Sequence, residues 1–455
     1  MNRKNNEIDM TQGPIFKNML VIALSIMATS ILQQLFNTAD LLVVGQFGEK
    51  GAIASVGSCS SLINLMINFF IGLSAGSGIV MARHYGAKNH QEANKCLHTA
   101  ISVSFIGGII LAITAWFVAK PLLTLLDTPT ENNILEGAVT YMRVYFLGMP
   151  FILLFNFSSS LLRAVGDAKR TFVYITQSGI INVILNLLFV IVFDMNVAGV
   201  ALATTIAQSY CAARCIICFL RYDGILRLHP KKIRIYKDAI TDIAKLGIPS
   251  GIQSSLFSFA NVFIQSSVNS IGSAAVAGAA AAQNIEFYIF FPADGYNNAL
   301  LNHTSQNFGA NKPSRIKKAA FYAMGLIVIS SVTIGALVIT FGKTLLSFYN
   351  VTDPVEVAYG LERMRIVAST QFLGGLMNMT ACLLRGIFKP LPAMLFSIAG
   401  ICGFRLLWIA TVFEKYHTIT VLFMSYPISW ALSFIAQGIM LLYYFKKYSK
   451  KEASL

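Results

Sequence analysis

Apolar runs, broken by short polar stretches, recur along nearly the whole chain from near residue 15 to near residue 445. As α-helices rising about 1.5 Å per residue, runs of roughly 20 residues cross about 30 Å of hydrocarbon. The pattern predicts about twelve spans, near residues 15–46, 52–81, 99–119, 137–162, 171–193, 197–220, 243–268, 274–303, 319–341, 361–384, 393–412 and 418–445. No interval between them accommodates a sizeable soluble domain, so the expected fold is an all-α polytopic membrane protein. The first run is far longer than the apolar region of a cleavable signal peptide and is expected to remain as span 1.

Composition agrees. Of 455 residues, 55% are hydrophobic and 12% charged, against about 25% charged in soluble domains, and the mean hydropathy is +0.64. A net charge of +15 would suggest nucleic acid in a soluble protein, but here it follows topology. The termini and the loops after even-numbered spans carry most of the cations, among them Lys88, Lys95, Lys169, Arg170, Lys231, Lys232, Arg234, Lys317, Lys318, Arg385, Lys389, Lys446 and Lys447. The opposite side has Lys50, Lys120, Arg143, Lys343, Arg363, Arg365 and Lys415. The positive-inside rule therefore predicts a multi-pass protein of the cell membrane with both termini in the cytoplasm and no nucleic-acid partner. Cys211, Cys215 and Cys218 share one helix face, and with no histidine or carboxylate close by in sequence they read as small packing residues rather than metal ligands.

The chain also repeats itself. "ARHYGAKNHQEANK" (82–95) recurs as "SQNFGANKPSRIKK" (305–318), which sets Gly309 in register with Gly86. "YMRVYFLG" (141–148) recurs as "RMRIVAST" (363–370), and "LLRAVGDAK" (161–169) as "LLRGIFKPL" (383–391), both at nearly the same offset along the chain. A shared offset points to duplication. Six spans per copy is an even number, so the two copies enter from the same face and are expected as two six-helix lobes, residues 1–220 and 243–455, related by a pseudo-two-fold axis along the membrane normal. Residues 221–242 would link them. Parallel repeats of this kind place a binding cavity between bundles and work by alternating access, a transporter reading; a duplicated scaffold without transport is the competing one.

Polar residues inside the spans mark the candidate chemistry. A carboxylate at mid-membrane costs about 2.5–3.5 kcal/mol on insertion scales, so Asp40 should face a cavity or the bundle interior. Gln33, Asn37 and Asp40 follow i, i+4, i+7 spacing on one face of span 1, where they can coordinate a cation together. Span 8 carries Gln283, Glu286, Asp294 and Asn297 on one stripe, with Pro292 removing a backbone hydrogen bond among them. Span 5 offers Ser178, Asn182 and Asn186, and span 7 offers Ser254, Ser258, Asn261, Gln265 and Asn269. Pro150, Pro249 and Pro427 are candidate kinks, and "IGLSAGSGI" (71–79) is a stretch either of close packing or of flexibility. No metalloprotease, nucleophile-elbow, Walker or dinucleotide motif is present in the sequence, so the energy for transport is expected from a gradient and no cofactor is expected beyond a coupling ion.

These motifs, taken in order, resemble the multidrug and toxic compound extrusion (MATE) family of cation-coupled antiporters. "NTADLLVVGQFG" resembles its helix 1 signature around an acid, "ARHYGAKNHQEA" its loop between helices 2 and 3, "LLRAVGDAKRTF" its LRAxGDxxxPM segment, and "INVILNLLFV" with "VAGVALATTIAQ" its helix 5 to helix 6 region. The resemblance implies export, by a monomer, of organic cations and amphipathic drugs against an inward flow of H+ or Na+ through two six-helix lobes. It assigns Asp40 to cation coupling, with Asn182 in the same cluster and Asn37 and Gln33 assisting. Asn186 stands where family members often have an aspartate, and Ser25 stands near a common proline of helix 1. In the second half the acids fall on span 8, as in the bacterial DNA-damage-inducible branch, so Glu286, Asp294, Gln283, Asn297 and Asn261 are the expected substrate or second coupling site. The alternatives are a lipid-linked oligosaccharide flippase, which would present cations where this chain places only Arg214 and Arg405 well inside its spans, and an integral membrane enzyme, for which only the cysteine triplet offers a cluster.

Overall fold

The computed structural model describes residues 7–47, 51–125, 128–129 and 131–452, and all regular structure among them is helical. Twelve long helices follow one another: α1 Ile15–Phe47, α2 Ala52–Gly86, α3 His90–Leu125, α4 in two parts Ile134–Leu147 and Met149–Ala164, α5 Ala168–Val192, α6 Asn196–Leu220, α7 Lys237–Ile271, α8 Ser273–Gly309, α9 Pro313–Thr340, α10 Pro354–Gly386, α11 Pro390–Tyr416 and α12 Ile419–Glu452. Each expected span falls on one of them. Ten are long and apolar enough to cross a membrane, and α4 is an eleventh if its two parts, bent by 50°, count as one. The bend follows Gly148, where Pro150 opens the second part, the position at which a helix tolerates a missing N–H. α7 is helical over the expected stretch but too polar to count among them. Of the loop cations, Lys50 lies outside the described residues.

Helix starts explain why the spans outrun their apolar runs. Asp353 accepts hydrogen bonds from the N–H groups of Val355 and Glu356 at 2.8 and 3.2 Å, and Pro354 follows it, so α10 nucleates well before residue 361. This places Arg363, expected in the first turn of its span among the cations of one membrane side, in the third turn of a helix. Asp167 caps α5 in the same way through the Arg170 N–H.

The chain divides into two compact units, one of residues up to Asp9 with Ala28–Gly251, the other of Met10–Met27 with Ile252–Leu455. Residues 221–242 pack within the first unit: Asn94 donates to the Arg227 carbonyl at 3.0 Å and the Tyr236 N–H to Thr99 Oγ1 at 3.1 Å. In the first unit α4 lies against α2, α3 and α6, and in the second α10 lies against α8, α9 and α12. Cys59, Ile63, Met142, Phe146 and Met149 fill the core around α4; Met377, Leu422, Phe423 and Trp430 belong to the core around α10. Phe117, Ile329 and Leu442 are exposed, as side chains facing acyl chains must be.

The duplication is written into the backbone. Left-handed turns occur in pairs, at Gly51 and Gly272, at Lys88 and Asn311, and at Gly166 and Phe388, and the offset within each pair is nearly the one that relates the sequence repeats. One turn of π-helix ends α5 at Leu188–Val192 and recurs in α11 at Ile409–Phe413.

The glycine-rich stretch 71–79 is a packing surface. Gly72 lies directly on the backbone of Gly251, and a Cβ at Gly76 would sit 2.6 Å from the Gly247 Cα and 2.8 Å from the Ile243 carbonyl oxygen. Two glycines four apart on α2 thus meet two glycines four apart on α7, the small-residue crossing that lets membrane helices approach closely. Gly76→Leu is expected to lower stability by about 1–3 kcal/mol or more through overpacking, read as a fall in the thermal unfolding midpoint of the detergent-purified protein. Gly57→Ala, where a Cβ meets nothing within 4 Å, should leave that midpoint in place.

Candidate functional site

In the first unit, α1, α2, α4, α5 and α6 enclose a cavity of about 500 Å³. Gln33, Asn37 and Asp40 of the α1 stripe all line it, together with Ser178 and Asn182 of α5. Asn186 stands behind them, fully buried, just before the π-turn that ends α5. Its amide donates to Asp40 Oδ1 and lies 3.4 Å from Asn182 Oδ1, while Asn182 donates to Thr204 Oγ1 at 3.4 Å. Thr204 also hydrogen-bonds Asp40. The carboxylate is therefore held by neutral donors rather than by a counter-charge. Asn186 Oδ1 and Gln208 Oε1 are buried without a protein partner, so acceptor capacity remains beside Asp40.

Several lining residues escape sequence reasoning: Ser60, Asn64 and Asn68 on α2, Asn156 on α4, Thr204 and Gln208 on α6, and the rings of Tyr141 and Tyr145. The α2 and α6 groups do carry a signal, since each recurs at spacing four on an apolar helix. Asn156, Tyr141 and Tyr145 carry none that separates them from packing residues. Asp40 is the sole charged residue among the described lining. A lone carboxylate among amides, hydroxyls and aromatic faces suits one monovalent cation, whether a proton, a metal ion or an organic cation.

The second stripe behaves differently. Glu286 accepts two hydrogen bonds from Arg363, Nε to Oε1 at 3.0 Å and Nη2 to Oε2 at 2.9 Å, and both side chains are buried. The guanidinium lies 4.9 Å from the Phe423 ring centroid. Glu286 is thus neutralised by a residue that the charge pattern counts among the cations of one membrane side. Asn297 donates to the Gly375 carbonyl at 3.2 Å, Gln283 and Asp294 are half-buried, and Asn261 is exposed on α7. Arg363 and Arg405 are both buried, and Arg214 is half-buried. Arg405 is 3% exposed, donates from Nε to Ser429 Oγ at 3.0 Å, and stacks 4.0 Å from the Tyr426 centroid. Of the cysteine triplet, Cys211 and Cys215 are buried and Cys218 is half-buried beside Arg170.

Removing one partner of a buried bidentate pair strands the other charge, at a cost of about 3–5 kcal/mol, whereas apolar replacement of both is often neutral. Glu286→Leu alone is expected to lower the unfolding midpoint sharply, and Glu286→Leu with Arg363→Met to restore most of it, measured by thermal unfolding in detergent.

The sequence pattern of the MatE family matches residues 25–188 and, a second time, residues 249–410. The chain is 26% identical over 436 residues, 92% of each sequence, to "Probable multidrug resistance protein YoeA" of Bacillus subtilis (strain 168). It is 23% identical over 372 residues, 80% of each, to "Multidrug export protein MepA" of Staphylococcus aureus (strain NCTC 8325 / PS 47). Its fold matches that of the "Outward-facing conformation of a multidrug resistance MATE family transporter of the MOP superfamily", with a TM-score of 0.91 over 99% of this chain and 100% of that one at 20% identity. The two matches of the family pattern cover more than half of the chain, one in each copy of the repeat, and the chain therefore belongs to the MatE family, whose members are multi-pass membrane transporters and not enzymes.

Proposed function

We propose that this protein is a secondary active multidrug efflux antiporter that exports organic cations or amphipathic drugs in exchange for H+ or Na+, with Asp40 as the coupling carboxylate. The observation that carries the reading is the isolation of that carboxylate: one acid in a polar cavity of about 500 Å³, held by Asn186 and Thr204, with no basic residue among the described lining. The relatives named for multidrug resistance and export support the substrate class. The cell membrane is its site of action, with both termini cytoplasmic, and it works as a monomer without a cofactor.

Low dielectric favours the neutral form of a carboxyl group, by protonation or by ion pairing. An incoming H+ or Na+ and an outgoing organic cation both satisfy that requirement at Asp40, so each displaces the other. Asn37, Gln33 and Asn182 supply carbonyl oxygens for an ion, and Tyr141 and Tyr145 offer ring faces to a drug cation. Because Arg363 neutralises Glu286, that acid offers no free negative charge to a cation, and within the second unit Asp294 and Gln283 are the polar groups of the α8 stripe left for a substrate.

The decisive measurement is ethidium efflux from proteoliposomes under an imposed proton or sodium gradient. The wild type should respond to one of the two gradients, and Asp40→Asn should reduce that response to the rate of protein-free vesicles while eluting as a monodisperse protein. Gradient-driven efflux by Asp40→Asn at the wild-type rate would remove the residue from coupling.

A further inference from the structure

The connection between α6 and α7 is built as a surface. His98, buried on α3, brackets His229 with its ring: Nε2 lies 3.1 Å from the His229 N–H nitrogen and 3.2 Å from its carbonyl oxygen, while Nδ1 lies 2.7 Å from the Asn94 carbonyl. Asn94 in turn holds the Arg227 carbonyl, and Thr99 receives the Tyr236 N–H. The segment from 229 to 236 is therefore clamped at both ends onto the first turns of α3. Between the clamps runs "PKKIRIY", in which cations and isoleucines alternate.

An open groove of about 730 Å³ lies along this segment, lined by Lys95, Lys231, Lys232 and Arg234 with no carboxylate among its described lining residues. Glu92 takes the charge of Lys95 at 2.7 Å, whereas Lys231, Lys232 and Arg234 form no ion pair among the described residues. Arg234 is braced over the Tyr236 ring at 4.6 Å. Ile233 and Ile235, 44% and 47% exposed, are large apolar side chains turned outward beside these three cations. Ile217 and Leu220, in the final turn of α6 just before the segment, are exposed as well.

We propose that residues 229–236 form a docking surface for an anionic phospholipid headgroup, with the phosphate held by Lys231, Lys232 and Arg234 and the exposed isoleucines set into the acyl boundary. Basic pockets beside membrane helices attract such headgroups. A soluble anion would need the cations alone. The two exposed isoleucines give a lipid a second, apolar contact that a soluble phosphate lacks.

The test is lipid retention by the detergent-purified full chain, counted by native mass spectrometry, with phosphatidylglycerol set against phosphatidylcholine of the same acyl chains. The wild type should prefer phosphatidylglycerol by about tenfold or more, and Lys231→Ala with Lys232→Ala and Arg234→Ala should abolish the preference. Ile233→Ser with Ile235→Ser should also lower phosphatidylglycerol retention although its cations remain, while Lys343→Ala with Lys415→Ala should keep the wild-type preference. Equal retention of the two lipids by the wild type, or an unchanged preference in the triple variant, overturns the proposal. So does a serine variant that retains phosphatidylglycerol as the wild type does while inorganic phosphate displaces it, an outcome that assigns the groove to a soluble anion.

Discussion

Hydrocarbon offers a polar side chain no partner, so every donor, acceptor and charge carried into these helices must be met by protein or by a wet cavity. That constraint organises the interior. In the second unit Gln437 reaches Ser397 Oγ at 2.7 Å and accepts from Thr380 at 2.7 Å, and Gln253 donates to the same serine at 3.0 Å. Glu286 is met by a guanidinium and Asn297 by a backbone carbonyl. Asp40 is the exception in kind. It is met by amide and hydroxyl groups that leave its charge uncompensated, beside a cavity large enough to supply the compensation.

The two copies of the repeat have kept their backbone and separated their chemistry. Left-handed turns and π-turns recur at a nearly constant offset, because a chain reversal or a widened turn depends on local conformation that many side chains permit. The acids inside the helices carry no such constraint. In one copy the acid lies on α1 and answers to α5; in the other it lies on α8 and answers to α10. Duplication thus supplied the scaffold twice, while an open carboxylate survives in a cavity of the first unit.

What is legible in the sequence follows from range. The twelve helices can be read because hydrophobic periods are local, and Gln33, Asn37 and Asp40 fall on one face because three and four residues make a helical turn. Asn182 and Asn186 are readable as a stripe, though nothing in the stripe announces that Asn186 is the donor to Asp40 across 146 positions. Arg363 is read as a cation at one membrane side because it falls in the first turn of the apolar run that opens near residue 361; the helix in fact starts earlier, at Asp353 and Pro354, and the arginine is buried against Glu286, 77 residues earlier, a pairing that no local pattern announces. The polar lining of α2 escapes notice since asparagines on an apolar helix look the same whether they bridge helices or face water.

Asn186 decides how many cations the site of the first unit can hold. An aspartate there would give two carboxylates and room for two monovalent charges; an amide gives one. At an effective dielectric of about 20, two unit charges about 4 Å apart interact by about 4 kcal/mol, so a second cation beside an already neutralised Asp40 would face a repulsion of that order with no carboxylate to offset it. Under the proposed antiport, a single-acid site would accept H+, Na+ or a drug cation one at a time. On that proposal exchange would need no dedicated gate between the ion and the drug, because the electrostatics of one carboxylate in low dielectric would already make their occupancy mutually exclusive.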